Sequence, residues 1–146
     1  MPELPEVETL VQQLKKRVVG KKIVAVKIVD SKVVDSKIKK IVPIKVVSVK
    51  RRAKSIIIGL NNDFLLVHLR MTGHFHYIPK GKKLEKDYEK FIVAKFELSD
   101  GSVLTHNSIR KFGSIKLINN KKLEQELSKL GPEPLSKEFT LVLFKK

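Results

Sequence analysis

The chain opens MPELPEVE, which puts a proline second and three glutamates within the next six residues of a protein otherwise rich in lysine. Initiator methionine is normally removed before a small second residue, and its loss leaves Pro2 with a free secondary amine. An α-amino group titrates at about pH 7.7–8.0, and nearby positive charge disfavours its protonated form. A neutral amine attacks an aldehyde-like carbon to form a Schiff base. Pro2 is therefore a candidate nucleophile, and Glu3 is its candidate acid or base.

A purely structural account of the same stretch is also available. Pro5 suits the first turn of a helix, where Glu6 and Glu8 would complement the helix dipole. This account leaves Pro2 and Glu3 unexplained, because both precede the helix. Retention of Met1 would remove the chemical account, since the nitrogen of Pro2 would then be an amide.

Charge is the strongest signal of the composition. The chain has 31 lysines and arginines against 15 acidic residues, a net charge of +16. A positive field of this size attracts phosphate polyanions with salt-sensitive affinity. The alternative is that evenly scattered lysine serves solubility, but nucleic acid is the favoured partner.

Length and composition exclude several other classes of protein. The 146 residues are 42% hydrophobic, which indicates one folded domain rather than a disordered polycation. No apolar run reaches the roughly 18 residues of a membrane span, and the N-terminus lacks the pattern of a signal peptide. The absence of cysteine excludes disulfides and a cysteine zinc site within this chain. We therefore expect a cytoplasmic protein without a membrane partner.

Hydrophobic periodicity predicts a mainly β (α+β) fold, an antiparallel β-sandwich or flattened barrel with an N-terminal helix. Helix 5–19 carries one apolar stripe and ends near Gly20. A strand is expected within 21–30, a short helix over 36–42, a polar loop over 79–90 and a second helix over 121–130. The other expected strands are 45–51, 55–60, 64–70, 91–98, 102–107 and 113–118. We expect residues 1–120 to form the catalytic sandwich, and 121–146 a helix, a linker and the start of a further helical module.

Five segments carry a resemblance to a known family. MPELPEVETL, KRRAKSIII, HLRMTG, IRKFG and LGPEPLS resemble, in this order, the N-terminal half of bacterial formamidopyrimidine-DNA glycosylases. The related endonuclease VIII branch usually has glycine where Leu4 stands here, so the formamidopyrimidine branch fits better. The resemblance implies a base-excision repair DNA glycosylase and AP lyase. Its substrate would be double-stranded DNA containing oxidised purines, such as 8-oxoguanine and formamidopyrimidine, or abasic sites, bound by a monomer.

The resemblance also assigns roles to the first residues and to KRRAKS. Pro2 would be the Schiff-base nucleophile and Glu3 its acid/base partner, while Glu6 would line the pocket of the damaged base. Lys54 would contact a phosphate near the lesion and assist elimination. The neighbouring residues 50–52 are either a solvated strand edge or additional DNA contacts.

A second group of residues would fill the gap left by the damaged base. Chemistry on a base within a duplex requires that base to be flipped out of the stack. Met71, Arg110 and Phe112 match the family's gap-filling residues, and Arg110 and Lys111 would contact DNA. An apolar wedge and a guanidinium would offset part of the lost stacking and pairing.

A few further residues concern metal binding or depart from the family pattern. His74 and His76 share a strand face, but two ligands without a third make a weak metal site, and His68 is expected to be structural. The resemblance implies no cofactor in this chain and zinc in a later four-cysteine finger. KFIVAKF lacks the histidine pair common in the family, and Ser108 stands where an aspartate is common.

Other functions remain open at the level of sequence. The chain ends within what should be the first helix of the family's helix–two-turn–helix module. We therefore expect residues 1–146 alone to have weak lyase activity at most. A catalytically incompetent DNA-binding fragment or diverged homologue is the main alternative, and an RNA-binding β-domain is a further one.

Overall fold

The computed structural model describes residues 4–69, 73–83, 90–108 and 113–129. Two helices, nine strands and one 3₁₀ helix lie within them. The N-terminal elements are α1 (Leu4–Val18), β1 (Lys22–Ile28), the 3₁₀ helix (Ser36–Lys40), β2 (Ile44–Lys45), β3 (Ser48–Arg52), β4 (Ser55–Gly59) and β5 (Asp63–His68). They are followed by β6 (Gly73–Ile78), β7 (Ile92–Leu98), β8 (Val103–Ser108), β9 (Ser114–Asn119) and α2 (Asn120–Ser128). The predicted helices and strands are confirmed within a few residues, except that the short helix is a 3₁₀ helix, that the range 45–51 is interrupted before β3, and that no range was predicted for β6. The predicted polar loop 79–90 includes residues 84–89, which lie outside the described part of the chain.

The strands form two antiparallel sheets. One has the order β2-β1-β7-β8-β6 and the other the order β3-β4-β5-β9. The predicted mainly β sandwich with an N-terminal helix is therefore confirmed. The chain crosses between the sheets after β2, after β5 and after β8. One core cluster contains buried residues of both sheets.

Helix α1 closes the sandwich along one side, where it contacts β3 of one sheet and lies beside β6 of the other. The predicted stripe explains this position, because four of its residues are buried in the core and Leu10 is half-buried against it. The buried four are Val7, Val11, Leu14 and Val18. An amphipathic helix gains most of its stability from burying such a face.

The C-terminal end of α1 is fixed to the five-stranded sheet by charged groups around Tyr77. The Arg17 guanidinium lies 4.9 Å from the centre of the Tyr77 ring. Lys21 Nζ donates to Tyr77 Oη at 3.1 Å and forms an ion pair with Asp100 at 2.7 Å. The hydrogen bonds from Lys21 and then from Ser102 hold the pKa of Asp100 well below its usual range.

The four-stranded sheet is covered on both faces. Its outer face packs under α2, where Leu123 and Leu127 meet Ile57, Phe64 and Leu66. This explains why β4 and β5 read as nearly continuous apolar runs instead of alternating. The predicted division at residue 120 stays a prediction, and residues 130–146 lie outside the described part of the chain. Within the described part, no helix has the length and apolar character needed to cross a membrane.

Candidate active site and nucleic-acid interface

Lys54 lies at the tip of a tight hairpin. Arg52 pairs with Ser55, so Ala53 and Lys54 alone connect β3 to β4. Ala53 has φ +53°, a left-handed conformation that is uncommon for a residue with a side chain. Lys54 is exposed. The hairpin therefore presents the predicted lysine at the end of the sandwich.

The crossings after β5 and after β8 both begin and end at this same end of the sandwich. Ser55 pairs with His68, and His68 pairs with Ser114, across β4, β5 and β9. In the other sheet, Gly73 pairs with Ser108. Leu69, which follows β5, and Gly73, which begins β6, are four residues apart in the sequence. The chain between them can therefore span at most ~14 Å. The residues on either side of the segments 70–72 and 109–112 are thus gathered beside the Lys54 hairpin.

His68 joins two of the strands at this end by a side-chain contact. Its Nδ1 lies 2.9 Å from Ser55 Oγ, next to Lys54 in sequence. The expectation that His68 is structural agrees with this hydrogen bond between β4 and β5.

Gly113, the glycine of IRKFG, explains how β9 returns so close to β5. A Cβ at this position would lie 2.5 Å from the carbonyl oxygen of His68 and 3.1 Å from that of Leu69. Backbone atoms cannot move aside as a flexible side chain can. The glycine is therefore required by the close approach of two strands at the candidate site.

Replacement of Gly113 by alanine should lower the free energy of unfolding by about 1–3 kcal/mol, because the new methyl group forces a backbone shift. Urea denaturation measures this loss. Ser114→Ala, one residue further, adds no such contact and is the matched control. Equal stability of the two variants would contradict the close approach.

Helix α1 reaches the hairpin through Glu8. Arg51 Nε donates to Glu8 Oε2 at 2.8 Å, and Arg51 Nη1 donates to the carbonyl oxygen of Ala53 at 3.1 Å. Glu8 Oε1 accepts a hydrogen bond from Gln12, which together with Arg51 lowers the pKa of Glu8. The expectation that Glu8 complements the helix dipole in the first turn is wrong, because the first turn holds only Glu6 as an acidic residue. The sequence offered no local signal for the pair, since its members are 43 residues apart.

Glu6 and Arg52, two further residues of this region, differ in their exposure to solvent. Glu6 is exposed in the first turn of α1. Arg52 is only 6% exposed, so its interpretation as part of a solvated strand edge is wrong. Six predicted site residues lie outside the described residues, namely Pro2, Glu3, Met71, Arg110, Lys111 and Phe112.

The end of β8 that leads into the candidate site is unusually polar for a buried strand. Thr105, His106, Asn107 and Ser108 are each at most 3% exposed. Thr105 Oγ1 donates to Asn107 Oδ1 at 2.7 Å, and the amide of Ser108 donates to the carbonyl oxygen of Phe91. Ser108, the departure noted in the sequence, is therefore a buried strand residue.

Strand β6 carries two histidines, His74 and His76. The rings of His74 and His76 lie 6.2 Å apart, centre to centre. The described residues bring no three His, Cys, Asp or Glu side chains together in a group that could hold a metal ion.

The family model of the formamidopyrimidine-DNA glycosylase N-terminal domain matches residues 1–115. The chain belongs to this family. The match covers α1, strands β1 to β8 and the Lys54 hairpin, and it ends at the second residue of β9.

Individual relatives agree with this assignment. The chain is 37% identical to the formamidopyrimidine-DNA glycosylase of Protochlamydia amoebophila, over 99% of this chain and 52% of that protein. It is 39% identical to the enzyme of Rickettsia felis, over 99% of this chain and 53% of that protein. The chain thus spans about half the length of the curated relatives it matches.

Solved structures give the same result for the fold. The complex between the Lactococcus lactis protein and DNA containing an abasic site superposes with a TM-score of 0.78 at 28% identity. The match covers 88% of this chain and 47% of the other.

Proposed function

We propose that this protein is a base-excision repair DNA glycosylase and AP lyase that acts as a monomer on oxidised purines in double-stranded DNA. The observation that carries the proposal is the gathering of three features at one end of a sandwich of this family. They are the Lys54 hairpin, the Glu8 region of α1, and the strand ends that flank the crossings after β5 and β8. Each of these segments holds or adjoins a residue to which the resemblance assigns a role.

The chemistry proposed for Pro2 proceeds through a covalent intermediate. Its neutral amine attacks C1′ of the damaged nucleotide, the bond from C1′ to the base breaks, and the base leaves with a proton. Protonation of the ring oxygen opens the sugar and gives an iminium. Removal of a C2′ proton then expels the 3′-phosphate, and water releases the amine. Glu3 is the acid/base partner in these proton transfers.

Lys54 is proposed to bind a phosphate beside the lesion and to assist the elimination. Its exposed position at the hairpin tip leaves the ammonium group accessible to a duplex. A phosphate held by a cation is a better leaving group, because the developing negative charge is stabilised.

Recognition of the lesion is proposed to depend on the two crossings. Met71, Arg110 and Phe112 occupy the space of the extruded base, and Glu6 lines the pocket that receives it. Arg110 and Lys111 contact the DNA strands. The net charge of +16 supports a phosphate-dominated affinity that falls with salt.

Borohydride trapping tests the proposal directly. The complete gene product is incubated with labelled duplexes that carry an abasic site, an 8-oxoguanine or no damage, and borohydride reduces any iminium to a stable amine. We expect an adduct on the first two duplexes and none on the third, with the DNA attached to the N-terminal peptide. Salt-sensitive binding without any adduct would instead support the DNA-binding alternative.

A further inference from the structure

Arg51 connects two segments that the proposed reaction requires to be held together. One nitrogen of its guanidinium binds Glu8 on α1, the helix that begins two residues after Pro2, and another binds the carbonyl oxygen of Ala53, the residue before Lys54. Arg51 pairs with Ile56 in the sheet, and Ile56 is fully buried. A planar guanidinium with a fixed fork of donors suits such a two-sided contact better than a lysine.

The turn that receives this hydrogen bond is strained. A left-handed residue other than glycine costs of order 1–3 kcal/mol and persists only where its surroundings hold it. Ala53 is such a residue, with φ +53°. The conformation of Ala53 sets the direction in which the backbone presents Lys54. Arg51 therefore stabilises the part of the hairpin that sets the direction of Lys54.

Stability alone is a weak reason for this arrangement. The side chains of Arg51 and Glu8 are 28% and 45% exposed, and ion pairs at such positions contribute about 0–1 kcal/mol. Position has a larger effect on catalysis, since a 1 Å displacement of a reacting group can cost about 100-fold in rate.

We propose that Glu8, Arg51 and the Ala53 carbonyl form a positioning clamp that fixes the distance between helix α1 and Lys54. The inference rests on the proposed function, in which the nucleophile stands two residues before α1 in the sequence and Lys54 assists elimination. Glu8 and Arg51 are positioning residues, because neither touches the reacting atoms. The clamp predicts that breaking either contact displaces the lysine relative to the amine while the fold persists.

Single-turnover elimination on saturating abasic duplex measures the effect on the reaction. We expect Glu8→Ala and Arg51→Met each to slow elimination about tenfold. The double variant should be no slower than either single variant, because both substitutions break the same contact. Arg51→Lys keeps the charge but loses the fork, so it should be as slow as Arg51→Met. Glu126→Gln, at a helix glutamate paired with Lys122 on α2, is the matched control and should react at the wild-type rate.

Acylation of Lys54 in the DNA-free protein, followed by mass spectrometry, provides a readout that is independent of activity. Glu8→Ala and Arg51→Met should each change its acylation rate at least about twofold, whereas Glu126→Gln should not. A wild-type protein without elimination activity would refute the proposed function, and the acylation rates would then decide the clamp alone.

Two results would overturn the clamp. One is an unchanged acylation rate of Lys54 in both variants. The other is slow elimination in the Arg51 variants only, accompanied by a salt dependence of DNA binding reduced by about one phosphate contact. In that case Arg51 would itself be a phosphate ligand, and Glu8 would have no part in catalysis.

Discussion

Replacement of Pro2 by glycine is expected to lower the rate at which borohydride-trapped adduct forms on abasic DNA by about 100-fold or more, equivalent to at least about 2.7 kcal/mol of lost transition-state stabilisation. A secondary amine forms an iminium that always carries a positive charge, whereas the imine of a primary amine must be protonated to become an equal electron sink. Glycine also lacks the ring that fixes the direction of the nitrogen. Quantitative gel analysis of trapped product at matched protein occupancy measures the loss.

An N-terminal extension provides the sharper control for this prediction. One additional residue before Pro2 converts its amine into an amide, which cannot form a Schiff base, while leaving every side chain in place. We expect no adduct from this variant and unchanged affinity for the abasic duplex. Trapping by the extended protein would show that another amine is the nucleophile, with Lys54 the first candidate because it is exposed beside the same site.

Stability is expected to decline as the pH falls from about 6.5 to 4, chiefly because of His106. Burial lowers the pKa of His106 from its ordinary 6.5 to about 4. Between these values the unfolded chain binds a proton at His106 that the folded chain does not, so acid favours unfolding. The difference corresponds to about 3 kcal/mol of unfolding free energy.

The surroundings of His106 explain why a charge is poorly tolerated there. Its ring lies 4.8 Å from that of Phe75, centre to centre, and its Nδ1 lies 3.1 Å from the carbonyl oxygen of His74. Its Nε2 is buried and has no hydrogen-bond partner among the residues that the structure describes. A second proton would thus place a charge on a nitrogen without an acceptor.

Urea denaturation at several pH values between 4 and 7 tests this prediction. His106→Phe keeps an aromatic ring beside Phe75 and should lose most of the pH dependence in this window. A smaller decline should remain, because burial also lowers the pKa of His76. His74→Gln, at an exposed histidine of the same strand pair, is the control and should follow the wild type. Parallel curves for His106→Phe and the wild type would contradict the assignment.

The sequence alone was sufficient for features that depend on local patterns. The apolar stripe of α1 predicted both the helix and its buried face, because residues three and four apart share a face of any helix. Short β-branched runs bounded by turn residues predicted most strands, and Gly101, with φ +89°, lies in the turn expected at Ser99–Gly101. The segment MPELPEVETL was the first of the five that indicated the family, although its first three residues lie outside the described part of the chain.

Only the tertiary structure decided which distant segments meet. Strand β6 pairs with β8 at the edge of one sheet, whereas β5, its neighbour in sequence, belongs to the other. Arg51 binds Glu8 across 43 residues, and Gly113 approaches the backbone of His68, contacts that no local periodicity encodes. Hydrophobic patterning fixes which side of an element is buried, but the neighbour it is buried against follows from how all the elements pack together around one core. The gathering of the hairpin, the helix and the strand ends that flank the crossings after β5 and β8 is therefore a property of the folded chain.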